Sequence, residues 1–282
     1  MRRAIPALVC LLALTSCGTV AGRRSSLQAA SGPRASAPIA AAMAPVDAPL
    51  ARSLYVGSFA ERDAALELAA AHGVSEITLY GLGGALSHET DTLAAFIEAA
   101  QARGVGAIAP VSGMDRVESL ARFEREHPSA RFAGWVTEFE FWNAPGPERA
   151  AQFAELQRML TAMRAAKTDG WVACYLGYPT AEEAAWIAQH VDRVYVSLGI
   201  DDPSRALDWG QGDRSHRTRQ SYFAGRVPIW PIVYARGDAH MRPWLEQHSI
   251  GELESSLRRA MNNQLAGVAL FDFGSMGDLI AR

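Results

Sequence analysis

From about residue 52 onward, apolar runs of strand length alternate with stretches in which apolar residues recur every three or four positions. The apolar runs predict strands at Leu54–Ser58, Glu76–Tyr80, Gly106–Val111, Gly134–Phe141, Trp171–Leu176, Arg193–Leu198, Val227–Val233 and Val268–Phe273. The amphipathic stretches predict helices at Glu61–His72, Asp91–Arg103, Asp115–His127, Glu148–Lys167, Ala181–His190 and Ile250–Leu265. The connection 201–224 is less regular.

This alternation of strand and helix implies parallel strands joined by right-handed crossovers. Eight such units predict an α/β protein with a single (β/α)8 barrel, a TIM barrel, over residues 52–282. An open doubly wound sheet is the competing architecture, but no Gly-x-Gly-x-x-Gly motif follows the first strand. Because few residues follow Phe273, we expect the last helix to be short or missing.

The N-terminus has the organisation of a secretory signal peptide. A basic start is followed by the apolar run Ala4–Leu14, which is too short to cross a bilayer because a spanning helix needs roughly 20 residues. The run ends in the sequence LTSCG (14–18), which resembles the lipobox of bacterial lipoproteins. The resemblance implies a signal peptide over 1–16, cleavage before Cys17 and attachment of lipid, including palmitate, to Cys17. An ordinary secretory signal with an unrelated cysteine is the alternative.

Residues 17–51 are rich in Ala, Pro and Ser, which predicts a flexible tether between the lipid anchor and the barrel. The lipoprotein resemblance implies a location in the bacterial cell envelope, and Gly18 after the cysteine favours the outer membrane. Cys10 would leave with the signal peptide and Cys17 would be acylated. Cys174 therefore has no partner for a disulfide and is expected to be a small buried hydrophobe.

Composition narrows the class of protein. Of the 282 residues, 49% are hydrophobic and 20% charged, which excludes a disordered polymer. The formal net charge of -3 argues against a dedicated nucleic-acid binder, since phosphate contacts need an excess of basic residues. We therefore expect no nucleic-acid partner. We also expect a monomer, and the lipobox resemblance implies that it contacts the membrane through its lipid anchor.

Two glutamates lie on one face of the predicted fourth strand. Side chains alternate along a strand, so Glu138 and Glu140 share one face while Phe139 and Phe141 share the other. If the aromatic rings pack outward against helices, the glutamates point into the mouth of the barrel, where TIM barrels carry their functional groups. Partial burial and like-charge proximity should raise the pKa of one carboxyl and so place a proton donor beside an anion.

The segment around these glutamates resembles the fourth-strand motif of family 18 chitinases, Asp-x-x-Asp-x-Asp-x-Glu after a short apolar run. Aligned on the last acid, the resemblance implies that Glu140 is the catalytic proton donor. It implies that Glu138 replaces the carboxylate that steers the acetamido group of the substrate in that family. Val136 and Ala133 stand where the two earlier acids belong. The resemblance therefore points to a glycosidase-like site more than to chitinase activity.

Other strand ends supply further candidates. Asp272, at the end of the eighth strand, could be the second carboxylate of a two-carboxylate glycosidase, or it could cap the turn that follows. Aromatic rings stack on the apolar faces of sugars, so the candidate substrate-binding residues are Trp142, Tyr80, Tyr175, Tyr195, Trp230 and Tyr234. Each of these could instead be an ordinary core residue.

Three functions remain open at this point. The leading hypothesis is a glycoside hydrolase that acts on a polysaccharide or cell-envelope glycan by carboxylate acid/base catalysis, with no cofactor and no metal. The absent acids of the motif keep open a catalytically inactive barrel that binds glycan without cleaving it. The third is a metal-dependent phosphodiesterase with Glu138, Glu140 and Asp272 around a divalent cation, although no histidine follows the first strand to serve such chemistry.

Overall fold

The structure is a computed structural model that describes residues 50–236 and 240–281. The parallel strands that close the barrel are β1 Ala51–Val56, β2 Glu76–Leu79, β3 Gly106–Val111, β4 Gly134–Thr137, β5 Trp171–Leu176, β6 Arg193–Leu198, β7 Ile229–Tyr234 and β8 Gly267–Phe271. Strand β1 pairs with both β2 and β8, so that Leu54 aligns with Ile77 on one side and with Leu270 on the other. The predicted TIM barrel is confirmed.

Helices connect the strands and cover the outside of the barrel. They are α1 Arg62–Ala71, α2 Leu82–His88, α3 Thr90–Ala102, α4 Met114–Glu126, α5 Gly146–Ala166, α6 Ala181–Ala188, α7 His216–Phe223, α8 Arg242–Leu245, α9 Ile250–Ala260 and α10 Phe273–Ile280. The expected short last helix is α10, which has 8 residues. The sequence pattern did not predict α2, α7 or α8.

The predicted N-terminal segments lie almost entirely outside the described residues. This holds for the signal peptide 1–16, for Cys17 and for the tether 17–51 except its last two residues. Leu50 is buried and β1 begins at Ala51, so the barrel starts slightly before the predicted boundary at residue 52. Among the helices of the described part of the chain, none is long and apolar enough to cross a membrane.

Strand β4 ends at Thr137, four residues before the predicted end at Phe141. The amide of Glu138 still donates to the carbonyl of Val111, but the amide of Phe139 donates to the hydroxyl of Thr137 at 3.2 Å. A threonine side chain that captures a nearby amide in this way competes with the strand ladder. The chain then curls into a 3₁₀ turn at Phe141–Asn143, so Glu138 and Glu140 do not belong to one continuous strand.

An ion pair closes the N-terminal end of the barrel interior. Arg193 of β6 donates to both carboxylate oxygens of Glu76 on β2, at 2.8 and 3.0 Å. Its guanidinium also lies over the rings of Trp171 and Trp230, 3.6 and 4.4 Å from their centroids. Because β2 and β6 are four strands apart in a closed eight-stranded barrel, this pair links opposite walls.

Two glycines admit the large rings at this end. A Cβ added to Gly134 would lie 2.1 Å from a ring atom of Trp171, and one added to Gly267 would lie 2.6 Å from the ring of Trp230. Each tryptophan therefore occupies the space that a side chain of the neighbouring strand would need. The N-terminal end is filled by these side chains, and a ligand can enter the interior from the C-terminal end.

Candidate functional site

A pocket of about 210 Å³ opens at the C-terminal ends of the strands. We call it the acid pocket. It is lined by Tyr55, Tyr80, Glu138, Glu140, Tyr175, Ile232, Tyr234 and Phe271. Most of these side chains follow the two-residue alternation that also places the inward core residues of the barrel. This is the end at which TIM barrels carry their active sites.

Glu138 points into the barrel because it continues the inward register of Gly134 and Val136 on β4. The hydroxyl of Tyr80 donates a hydrogen bond of 2.7 Å to its Oε1 atom. Burial raises the pKa of Glu138 to about 7, the hydrogen bond from Tyr80 opposes that rise, and the charge of Glu140 adds to it. Glu138 therefore holds its proton up to neutral pH.

Glu140 is exposed, in contrast to Glu138. Its Oε2 atom accepts a hydrogen bond of 2.7 Å from the side-chain amide of Asn143. Partial burial raises the pKa of Glu140, while the amide of Asn143 and the nearby hydroxyl of Tyr175 favour its ionised form. The two glutamates thus face the same pocket in different environments.

Tyrosine hydroxyls line the rest of the acid pocket. The hydroxyl of Tyr234 lies 3.0 Å from that of Ser197, and Tyr175 lines the same pocket. The buried hydroxyl of Tyr55 has no hydrogen-bond partner among the described residues. A buried hydroxyl without a partner is costly, so a polar ligand atom or a water in the pocket would stabilise it.

Asp272 stabilises the start of α10 and does not line the acid pocket. It is the N-cap of α10, where its Oδ1 atom accepts a hydrogen bond of 3.1 Å from the amide of Ser275. Its Oδ2 atom lies 2.6 Å from the guanidinium of Arg236. The geometry thus agrees with the capping interpretation of Asp272, and the structure does not bring this residue together with Glu138 and Glu140.

Three of the aromatic candidates lie outside the acid pocket. Tyr195 and Trp230 are buried inside the barrel near Arg193, toward the closed N-terminal end. Trp142 is buried beside the ring of Tyr175, with a distance of 5.3 Å between ring centroids. Tyr80, Tyr175 and Tyr234 do line the pocket. The alternation of β6 and β7 predicts the inward direction of Tyr195 and Trp230, but their early positions in those strands place them at the far end.

Sequence reasoning missed several residues of this site. Phe271 could have been found from the alternation of β8, in which Ala269 and Phe271 point inward. Asn143 follows a turn that the predicted long strand did not include. Arg116, in the first turn of α4, lines an adjoining pocket, and no sequence signal separates it from the other arginines.

The metal-dependent hypothesis needs three carboxylates around one cation. Within residues 50–236 and 240–281, no group of three His, Cys, Asp or Glu side chains is placed to hold a metal ion. Cys174 is fully buried on β5, and burial raises the pKa of its thiol above the ordinary range. A buried thiol of this kind is unreactive because the thiolate is the nucleophile.

Comparison with known proteins supports the architecture. No protein-family model and no curated protein matches the chain. Among solved structures, the chain is similar to a candidate fructose-1,6-biphosphate aldolase from Coccidioides immitis, with 10% identity, coverage of 78% of this chain and 73% of the aldolase, and a TM-score of 0.51. At this identity the likeness shows the TIM-barrel fold alone.

Two further solved structures are similar at lower TM-scores. The dipeptide epimerase from Enterococcus faecalis is 8% identical, with coverage of 78% of this chain and 54% of the epimerase and a TM-score of 0.48. Phospho-2-dehydro-3-deoxyheptonate aldolase from Thermotoga maritima is 14% identical, with coverage of 83% and 68% and a TM-score of 0.46. This chain thus spans about half the length of the epimerase. None of the three is a chitinase.

Proposed function

We propose that this barrel is a glycoside hydrolase that cleaves a polysaccharide or cell-envelope glycan by carboxylate acid/base catalysis. The observation that carries the proposal is the pair at the end of β4. Burial raises the pKa of Glu138 to about 7, and this residue lies in one pocket with the exposed Glu140. When the environments of two carboxyls differ in this way, one can act as the general acid and the other as the general base.

The two roles follow from the two environments. Glu138, protonated up to about pH 7, donates its proton to the leaving oxygen as the glycosidic carbon–oxygen bond breaks. Glu140, exposed and hydrogen-bonded in its ionised form, takes a proton from the attacking water. This assignment departs from the chitinase resemblance, which implies that Glu140 is the proton donor and that Glu138 steers the acetamido group. The reason is that desolvation acts most strongly on the inward-pointing glutamate.

The lining of the acid pocket suits a sugar. The rings of Tyr80, Tyr175, Tyr234 and Phe271 offer apolar faces, and the hydroxyls offer donors and acceptors to a sugar's own hydroxyl groups. A volume of about 210 Å³ is below the roughly 300–1,000 Å³ of pockets for drug-sized ligands. The pocket would thus hold a single small unit, such as one sugar ring.

The dependence of hydrolysis on pH tests the proposal. We expect kcat/KM to fall as pH rises through about 7, because Glu138 then loses the proton it must donate. On the acid side kcat/KM should fall as Glu140 becomes protonated. The measurement is the release of reducing ends from purified peptidoglycan and other envelope polysaccharides across the pH range. A rate that stays constant well above neutral pH would contradict Glu138 as the proton donor.

A glycan-binding protein without hydrolytic activity is the second candidate. It is supported by Ala133 and Val136, which stand where the chitinase motif has two further acids. Binding of a polysaccharide with no product after long incubation would select this function. Hydrolysis that persists in EDTA would eliminate the metal-dependent phosphodiesterase.

We propose further that the protein is a lipoprotein of the bacterial cell envelope, held in the outer membrane through Cys17. Replacing Cys17 by Ala should move the protein from the membrane fraction to the soluble fraction and abolish incorporation of labelled palmitate, since firm anchoring needs covalently attached acyl chains. Cys10→Ala, in the predicted signal peptide, is the matched control and should leave both unchanged. Membrane association that survives Cys17→Ala would contradict the anchor.

A further inference from the structure

A second pocket adjoins the acid pocket on the side of β2 and β3. Its volume is about 140 Å³. It is lined by Tyr80, Gly81, Leu82, Gly83, Pro110, Val111, Ser112, Arg116 and Glu138. We call it the Arg116 pocket. Tyr80 and Glu138 line both pockets, so a ligand in the Arg116 pocket would lie beside the proton donor of the proposed hydrolase.

Among the described residues that line this pocket, Arg116 is the one basic side chain and Glu138 the one acidic side chain. It is partly buried in the first turn of α4, and its guanidinium packs so closely on Gly83 that a Cβ there would lie 3.0 Å from Nη2. Within the described part of the chain it forms no ion pair and no hydrogen bond. Arg149 is also partly buried near the C-terminal end of the barrel, but it makes two hydrogen bonds to Glu183, at 2.8 and 2.7 Å.

A partly desolvated guanidinium without an ion-pair partner is stabilised by an anion that binds beside it. Arginine holds carboxylate and phosphate groups through two parallel hydrogen bonds, which are stronger than bonds between neutral groups. Ser112 is exposed at the same pocket and can add a hydroxyl donor. An anionic group of the ligand would supply the partner that the protein itself does not.

We propose that the Arg116 pocket is an anion subsite, which binds a carboxylate or phosphate group of an acidic glycan next to the site of cleavage. This inference rests on the proposed function, since it names the class of glycan that the hydrolase takes. The bound anion would also favour the protonated form of Glu138 through like-charge repulsion. Binding of the acidic unit and protonation of Glu138 would then favour each other.

Binding of small sugars to the full chain tests the subsite without turnover. The probes are D-glucuronate, D-glucose 6-phosphate and the neutral methyl ester of D-glucuronate, measured by titration calorimetry. We expect at least one anion to bind about tenfold or more tightly than the ester, which is the size of effect expected for a hydrogen bond to a charged group. The two anions distinguish a carboxylate from a phosphate subsite.

The variants are Arg116→Met and, as a matched control, Arg122→Met at an exposed position of the same helix. Arg116→Met should remove the preference for the anion, whereas Arg122→Met should keep it. Three results would overturn the subsite. The anions and the ester could bind with equal affinity, the preference for the anion could survive Arg116→Met, or none of the probes could bind. An anion preference that depends on Arg116, found together with no hydrolysis of any glycan, would instead reject the proposed hydrolase and keep the subsite.

Discussion

Replacing Glu138 by Gln is expected to lower kcat/KM for glycan hydrolysis by about 10²–10⁴-fold, the usual contribution of a general acid. Glutamine keeps the size of the side chain and can still accept the hydrogen bond from Tyr80, but it has no proton to give to the leaving oxygen. Reducing-end release by the purified variant, across the pH range, is the measurement. The alkaline fall near pH 7 should disappear together with most of the activity.

Glu140→Gln should lower kcat/KM to a similar degree and remove the acidic limb of the profile, since this variant lacks the base. Glu118→Gln, at an exposed position of α4, is the control and should leave turnover unchanged. Loss of the alkaline limb in Glu140→Gln, with turnover retained in Glu138→Gln, would restore the roles implied by the chitinase resemblance. Full activity in both variants would remove the pair from the mechanism.

Much of the fold could be predicted because burial in a parallel barrel leaves a clear pattern. Strands buried on both faces appear as short apolar runs, and the helices between them show an apolar face. Elements with little apolar signal were missed, such as α2, with its two glycines, and α8, with 4 residues. The early end of β4 depends on one hydrogen bond to the hydroxyl of Thr137, which no periodicity reveals.

The candidate site was predictable to the extent that strand alternation controls it. That alternation correctly placed Glu138 inside the barrel, and the positions of Tyr80 and Tyr234 near strand ends correctly suggested that they line the same pocket. It did not reveal how deep a side chain lies, and so it did not separate Tyr234 at the open end from Trp230 at the closed end. Strand alternation could not identify Arg116, because this residue lies on a helix and reaches the site only through the packing of the folded barrel.

The ion pair between Glu76 and Arg193 carries the largest expected effect on stability. Its side chains are only 13% and 12% exposed, and the pair joins opposite walls of the barrel. Glu76→Leu would leave Arg193 desolvated without its carboxylate, so we expect the free energy of unfolding to fall by about 3–5 kcal/mol. Chemical denaturation of the purified variant measures this loss. If Glu76→Leu does not fold, Glu76→Gln retains the shape and provides a milder test.

Removing both charges should be less harmful than removing one. In the double variant Glu76→Leu/Arg193→Leu no charge remains unpaired, and apolar replacements of buried ion pairs are often neutral or stabilising. Glu67→Leu, which breaks the exposed pair with Arg103, is the control and should cost about 0–1 kcal/mol. Because the pair lies at the closed end, the activity of each folded molecule should not change. A double variant as unstable as Glu76→Leu would show that the geometry of the pair, and not an unpaired charge, is what the barrel requires.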